Sequence, residues 1–107
     1  MKQVHLDNVP EKELLPGLHV KFVHSEKMTF AYWDIDAGAD LPSHRHPHEQ
    51  VVNMLSGQFE LTVDGVRKTL RPGEMVIIPP DTEHSGKAVS ACRVLDVFCP
   101  VREDYRE

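Results

Sequence analysis

Short alternations of apolar and polar residues, each closed by turn chemistry, run through most of this chain. Residues 18–23 (Leu-His-Val-Lys-Phe-Val) alternate with period two, the signature of a strand with one buried face. Residues 28–36 (Met-Thr-Phe-Ala-Tyr-Trp-Asp-Ile-Asp) are rich in aromatics and end before Gly38, and residues 50–55 form a mostly apolar run stopped by Ser56-Gly57. Residues 58–63 and 66–70 flank Asp64-Gly65, a pair that tolerates the positive φ angles of a two-residue hairpin turn. After Pro72-Gly73, residues 75–78 (Met-Val-Ile-Ile) read as a buried strand, and 91–99 (Ala-Cys-Arg-Val-Leu-Asp-Val-Phe-Cys) form a last run before Pro100. No segment sustains a period of 3.6, and residues 10–15 carry at most one helical turn. Many short strands with regular turn signals predict an all-β sandwich or barrel.

A length of 107 residues suits one domain with its own core. The expected layout is an N-terminal arm over 1–20, a barrel over 21–101 and a charged tail over 102–107. The net charge of −5 and the lack of a Lys/Arg run argue against nucleic acid or an anionic membrane as partner. No apolar stretch approaches the ~18 residues that span a bilayer. Met1-Lys2-Gln3-Val4-His5 lacks the apolar core of a signal peptide, so a soluble cytoplasmic protein is expected. Cys92 and Cys99 would lie far beyond disulfide range on one strand rising ~3.3 Å per residue. Both are expected to be buried as small hydrophobes. A small sheet sandwich has edges to protect, so a homodimer is expected, with residues 1–20 or 28–35 as candidate contacts.

Chemistry concentrates in Pro42-Ser43-His44-Arg45-His46-Pro47-His48-Glu49-Gln50, with His84 downstream, just after Pro79-Pro80. In an extended strand His44 and His46 point to the same face, and a separate strand or turn can bring His84 over them. That grouping is a candidate metal site. His5, His19 and His24 read as surface or half-buried side chains. In the last run, Asp96 and Phe98 fall on one face. An inward Asp is costly without a partner, so Asp96 either faces solvent or stands beside the metal as a general base or acid. In the second case Phe98 could pack a sugar ring, and Arg102 near the rim could bind a carboxylate with two hydrogen bonds.

The spacing resembles the two motifs of the cupin superfamily. Gly38, His44, His46, Gln50 and Gly57 match the first; Gly73, Pro79, Asp81 and His84 match the second, with Asp81 in place of the turn glycine and Ala88 where an Asn is frequent. The resemblance covers roughly residues 20–100. It implies a jelly-roll barrel (a double-stranded β-helix) holding one divalent transition metal through His44, His46, Gln50 and His84. Cupins usually carry Glu where Gln50 stands. Neighbouring Glu49 could supply the oxygen instead, but strand parity and motif spacing favour Gln50. A shell of three imidazoles and one amide is neutral, so it leaves the full charge on the ion and binds it less tightly than a Glu site. Such N/O shells suit Zn, Ni, Fe or Mn. His48 has no metal role in the motif and reads as pocket wall or as a partner of a ligand.

A closer resemblance is carried by His-x-His-Pro-His-Glu-Gln followed by Asp-Val-Phe-x-Pro-x-Arg-Glu-Asp-Tyr. This pair of strings is similar to the KdgF-type cupins of pectin and alginate breakdown, which open the ring of 4,5-unsaturated monouronates to the linear keto form. It implies a small-molecule substrate, a carboxylated sugar, with Asp96, Phe98 and Arg102 serving substrate binding and proton transfer. Two other readings fit the same residues: a metal-dependent dioxygenase, which needs iron and open coordination positions, and a non-catalytic sugar- or metabolite-binding cupin.

Overall fold

In the computed structural model, which describes residues 1–106, the chain forms ten strands, seven of them over the runs read above. They are β1 (Lys12–Leu15), β2 (Leu18–His24), β3 (Thr29–Ile35), β4 (Asp40–His44), β5 (Glu49–Ser56), β6 (Phe59–Val63), β7 (Val66–Leu70), β8 (Met75–Ile78), β9 (His84–Ala88) and β10 (Cys92–Cys99). Single 3-10 turns lie at Leu6–Asn8 and Glu103–Tyr105. Asp64 and Gly65, with φ of 48° and 80°, make the tight link between β6 and β7. Both angles suit the right-handed twist of the flanking strands.

The strands pair antiparallel into two sheets, one of six in the order β1-β2-β3-β10-β5-β8 and one of four in the order β4-β9-β6-β7. The core fills the space between them. Leu18, Val20, Ala31, Trp33, Ile35, Val52, Met54 and Val94 point in from the larger sheet, and Phe59, Leu61, Leu70 and Ala88 from the smaller. This is the all-β barrel that the alternation predicts. Among the described residues no helix is long and apolar enough to cross a membrane.

Four local expectations differ from the structure. Residues 10–15 hold no helical turn; β1 pairs there with β2, Lys12 opposite Val20. The run 75–78 is not buried throughout. As the edge strand of the larger sheet, β8 turns Ile78 inward and leaves Met75 and Ile77 exposed. Cys92 is buried but Cys99 is exposed, because period two places it on the face opposite Phe98. Finally, His44 and His46 do not share a strand, since β4 ends at His44 and His46 lies in the following bend. Strands β4 and β9 carry no apolar run, and they hold two of the three clustered histidines.

Candidate metal centre

The site lies where the two sheets meet at one end of the barrel. His44 and His84 are cross-strand partners on β4 and β9. Gln50 and Phe98 are cross-strand partners on β5 and β10, and Asp96 sits two residues before Phe98 on the same inward face. His46 comes from the bend between β4 and β5, where its carbonyl accepts a 2.8 Å hydrogen bond from the Asp81 N–H. That bond ties the bend to the Pro79-Pro80-Asp81 turn that leads into β9. Asp81 has φ +57°, the left-handed conformation that Asp tolerates better than most residues.

His44, His46 and His84 each offer a ligand atom, all within 4.8 Å of one another. The backbone fixes which nitrogens are available. His44 Nδ1 and His84 Nδ1 donate to the carbonyls of Pro42 and Thr82 at 2.8 and 2.9 Å, which leaves the Nε2 lone pair free on each ring. His84 Nε2 is buried and has no hydrogen-bond partner among the described residues, and neither does His46 Nδ1. Burial, and then the nearby Arg102 charge, hold His46 down to about 4; burial likewise lowers His84. Both rings are therefore neutral near pH 7, the state in which an imidazole binds a metal. Three clustered imidazoles, with the buried Nε2 of His84 left unpartnered, fit a divalent cation.

Gln50 completes the cluster. It is buried, and its Oε1 lies 3.0 Å from His46 Nε2. Glu49 is exposed, so of the two candidate oxygen donors only Gln50 stands at the histidines. His48 is half-buried, its ring 5.4 Å from that of His46.

Asp96 faces inward and is only 8 % exposed. Its Oδ2 accepts from Trp33 Nε1 at 3.0 Å, while Oδ1 has no hydrogen-bond partner of good geometry among the described residues. Burial pushes the carboxyl up to about 7; the Gln50 and Trp33 side chains and the Arg102 charge pull it part of the way back. Trp33 is a site residue that the sequence reading missed. The available signal was an indole in an inward strand position, which needs an acceptor for its N–H.

Phe98 packs edge-on against the His46 ring, with centroids 5.5 Å apart. The Arg102 guanidinium lies over Phe98 and Tyr105, its Cζ 4.8 and 4.1 Å from the two ring centroids. Its fork is already engaged by Asp104, a partner that the sequence reading also missed. Leu18, Trp33, Gln50, His84 and Asp96 border an interior recess of about 30 Å³. That is room for about one water and far too little for a sugar ring.

Together these features define a small antiparallel β-barrel whose mouth carries a histidine cluster suited to a divalent ion. The Cupin domain family matches residues 31–98, and the chain belongs to the cupins. It is similar to the pectin degradation protein KdgF of Dickeya dadantii (strain 3937), 26% identical over 102 residues that make up 92% of this chain and 93% of that protein. It is also similar to H2HPP isomerase of Bacillus subtilis, 23% identical over 94 residues; the match takes in 85% of this chain and only 40% of the isomerase. Among solved structures, an RmlC-like cupin from Shewanella frigidimarina NCIMB 400 superposes with TM-score 0.90 at 27% identity, covering 95% of this chain and 93% of that one. KdgF from Halomonas sp. superposes with TM-score 0.84 at 28% identity, covering 89% of each chain.

Proposed function

We propose that this cupin is a metal-dependent enzyme that opens the ring of a 4,5-unsaturated monouronate and tautomerises it to the linear keto form. The observation that carries the reading is the arrangement around Gln50. One buried amide touches His46 of the three-histidine cluster and lies beside Asp96, a carboxyl that titrates near neutrality. A group with a pKa near the working pH is suited to take up and return a proton. The similarity to a pectin degradation protein, nearly end to end, supports the substrate class. The similarity to a protein named as an isomerase supports the reaction class.

The residues divide the chemistry as follows. His44, His46, His84 and Gln50 would hold one divalent transition metal, of which Zn, Ni, Fe and Mn all suit the donor set. When bound, such an ion supplies positive charge that orients sugar oxygens and stabilises a developing oxyanion. Asp96 accepts the proton of the C1 hydroxyl as the C1 carbonyl forms and the bond from C1 to the ring oxygen breaks. It then returns a proton to C4 as the enol at C5 becomes a ketone. No atom is gained or lost. The recess beside Asp96 has room for about one water only, so the sugar ring would lie at the mouth against Phe98 and the histidines, with its carboxylate toward Arg102.

Incubation of metal-loaded protein with a 4,5-unsaturated monouronate tests the proposal. Loss of the ultraviolet absorbance of the conjugated double bond should far outpace buffer and should slow by about two orders of magnitude or more in Asp96→Asn. A rate equal to that in buffer, or one unaffected by the substitution, contradicts it. Oxygen consumption by the iron-loaded protein would favour a dioxygenase instead.

A further inference from the structure

The Arg102 side chain is only 7% exposed, whereas that of its partner Asp104 is 55% exposed. The two form a forked pair: Arg102 Nε donates to Asp104 Oδ1 at 3.0 Å and Nη2 donates to Oδ2 at 2.7 Å. The cation is anchored. It lies over the Phe98 and Tyr105 rings, and its backbone N–H donates to Thr29 Oγ1 at 2.8 Å. Thr29 is itself wholly buried and bonded to His24. The carboxylate has no such anchor. It sits on a three-residue 3-10 turn that buries none of its residues. The pair belongs to the site, since the Arg102 charge acts on His46, His48, His84 and Asp96.

We infer that Asp104 is a built-in stand-in for a ligand carboxylate: it fills the Arg102 fork in the free protein and gives it up to the carboxylate of an incoming acidic sugar. This deepens the proposed function and rests on one part of it, that Arg102 receives the substrate carboxylate. A buried guanidinium left without a partner is costly, so an empty fork would be a poor resting state. Exchange of one two-point carboxylate for another keeps the cation paired throughout. A neutral sugar cannot make the exchange, because its hydroxyls do not replace the lost charge. Asp104 therefore lowers affinity for every ligand that needs the fork, and in return keeps the buried Arg102 cation paired while no ligand is bound. The competition is modest, since more than half of the Asp104 side chain is exposed to water.

The test compares wild type with Asp104→Asn, both metal-loaded, using glucuronate as a non-reacting carboxylated probe and glucose as a neutral one. Calorimetry should show glucuronate binding about five- to tenfold tighter in Asp104→Asn, with glucose unchanged. Unchanged glucuronate affinity overturns the inference. Weaker glucuronate binding also overturns it and makes Asp104 a residue that positions Arg102. Glucuronate binding to neither protein overturns it too, as the fork then accepts no outside carboxylate. Thermal melts confirm that the variant is folded, and Asp104→Glu, which restores a carboxylate, should return affinity toward wild type. Turnover of unsaturated monouronate is measured alongside. Turnover with unchanged glucuronate affinity removes the stand-in alone, and tightened glucuronate binding without turnover removes the reaction alone.

Discussion

Asp96→Asn should stabilise the metal-free protein by an amount that grows with pH. The carboxyl is buried, and burial lifts it from an ordinary 3.8 to about 7. Below the lower value it is protonated in both the folded and the unfolded chain, and burial costs nothing extra. Between the two values the folded protein keeps a proton that the unfolded chain has lost, so stability falls as pH rises. Above about 7 the folded protein must bury a charge, and the loss is complete. A shift of roughly three units at ~1.4 kcal/mol each gives about 4 kcal/mol over the whole window. About 3 kcal/mol of this falls between about pH 5 and about pH 8.5, because part of the loss has already occurred by the lower pH. Asn is neutral at every pH, nearly isosteric, and can still accept from Trp33 Nε1. Urea unfolding of both proteins in chelator, at those two pH values, reads the effect directly. The stability of the variant relative to wild type should rise by about 3 kcal/mol from the acidic to the alkaline condition. Parallel stability curves would mean that Asp96 is not a buried carboxyl that resists ionisation.

Three further substitutions test neighbouring parts of the argument. Trp33→Phe removes the 3.0 Å hydrogen bond that favours ionised Asp96, so the carboxyl midpoint followed by carbon NMR should move up by about one unit; a downward move contradicts the assignment. Gln50→Glu brings a second carboxylate to His46 and Asp96. Competition with a chelating dye should show divalent metal bound at least about tenfold tighter, while activity near neutral pH falls because two adjacent buried carboxylates cannot both ionise; weaker metal binding would remove Gln50 from the ligand set. Gly57→Ala should cost about 3 kcal/mol or more in urea unfolding, since φ is +74° and a Cβ there would run into the Ala91 carbonyl and come within 2.7 Å of Cys92 Cβ. A loss below about 1 kcal/mol would show that this turn relaxes freely.

What the sequence revealed tracks how strongly each element depends on burial. Strands with one face in the core alternate visibly, and β6 and β7 fall around Asp64-Gly65 as predicted. Strands β4 and β9, of sequence Asp-Leu-Pro-Ser-His and His-Ser-Gly-Lys-Ala, do not alternate. Their pairing in the four-stranded sheet holds them extended, a tertiary effect that no local pattern records. The histidine cluster was nevertheless legible, because its spacing matches a family motif that does not depend on strand propensity. Gln50 rather than Glu49 followed from strand parity and motif spacing together, and the structure buries the one and exposes the other. Parity likewise put Asp96 and Phe98 on one face. It could not supply the partners that give those residues their properties. Trp33 comes from a strand far away in sequence and contacts Asp96 only because Trp33 pairs with Val94 across β3 and β10. Arg102 was expected to offer an open fork; an acidic residue two positions on, in a turn that turns its side chain back, fills it.

The proposed delivery of a proton to one carbon by Asp96 is tested most directly by NMR. Metal-loaded protein is incubated with a 4,5-unsaturated monouronate in deuterated water. The expected product is the linear keto sugar, formed much faster than in buffer and carrying a single deuteron on one face of C4. Product formed no faster than in buffer, or deuterated equally on both faces of C4, would contradict proton transfer by Asp96 beside the histidine cluster.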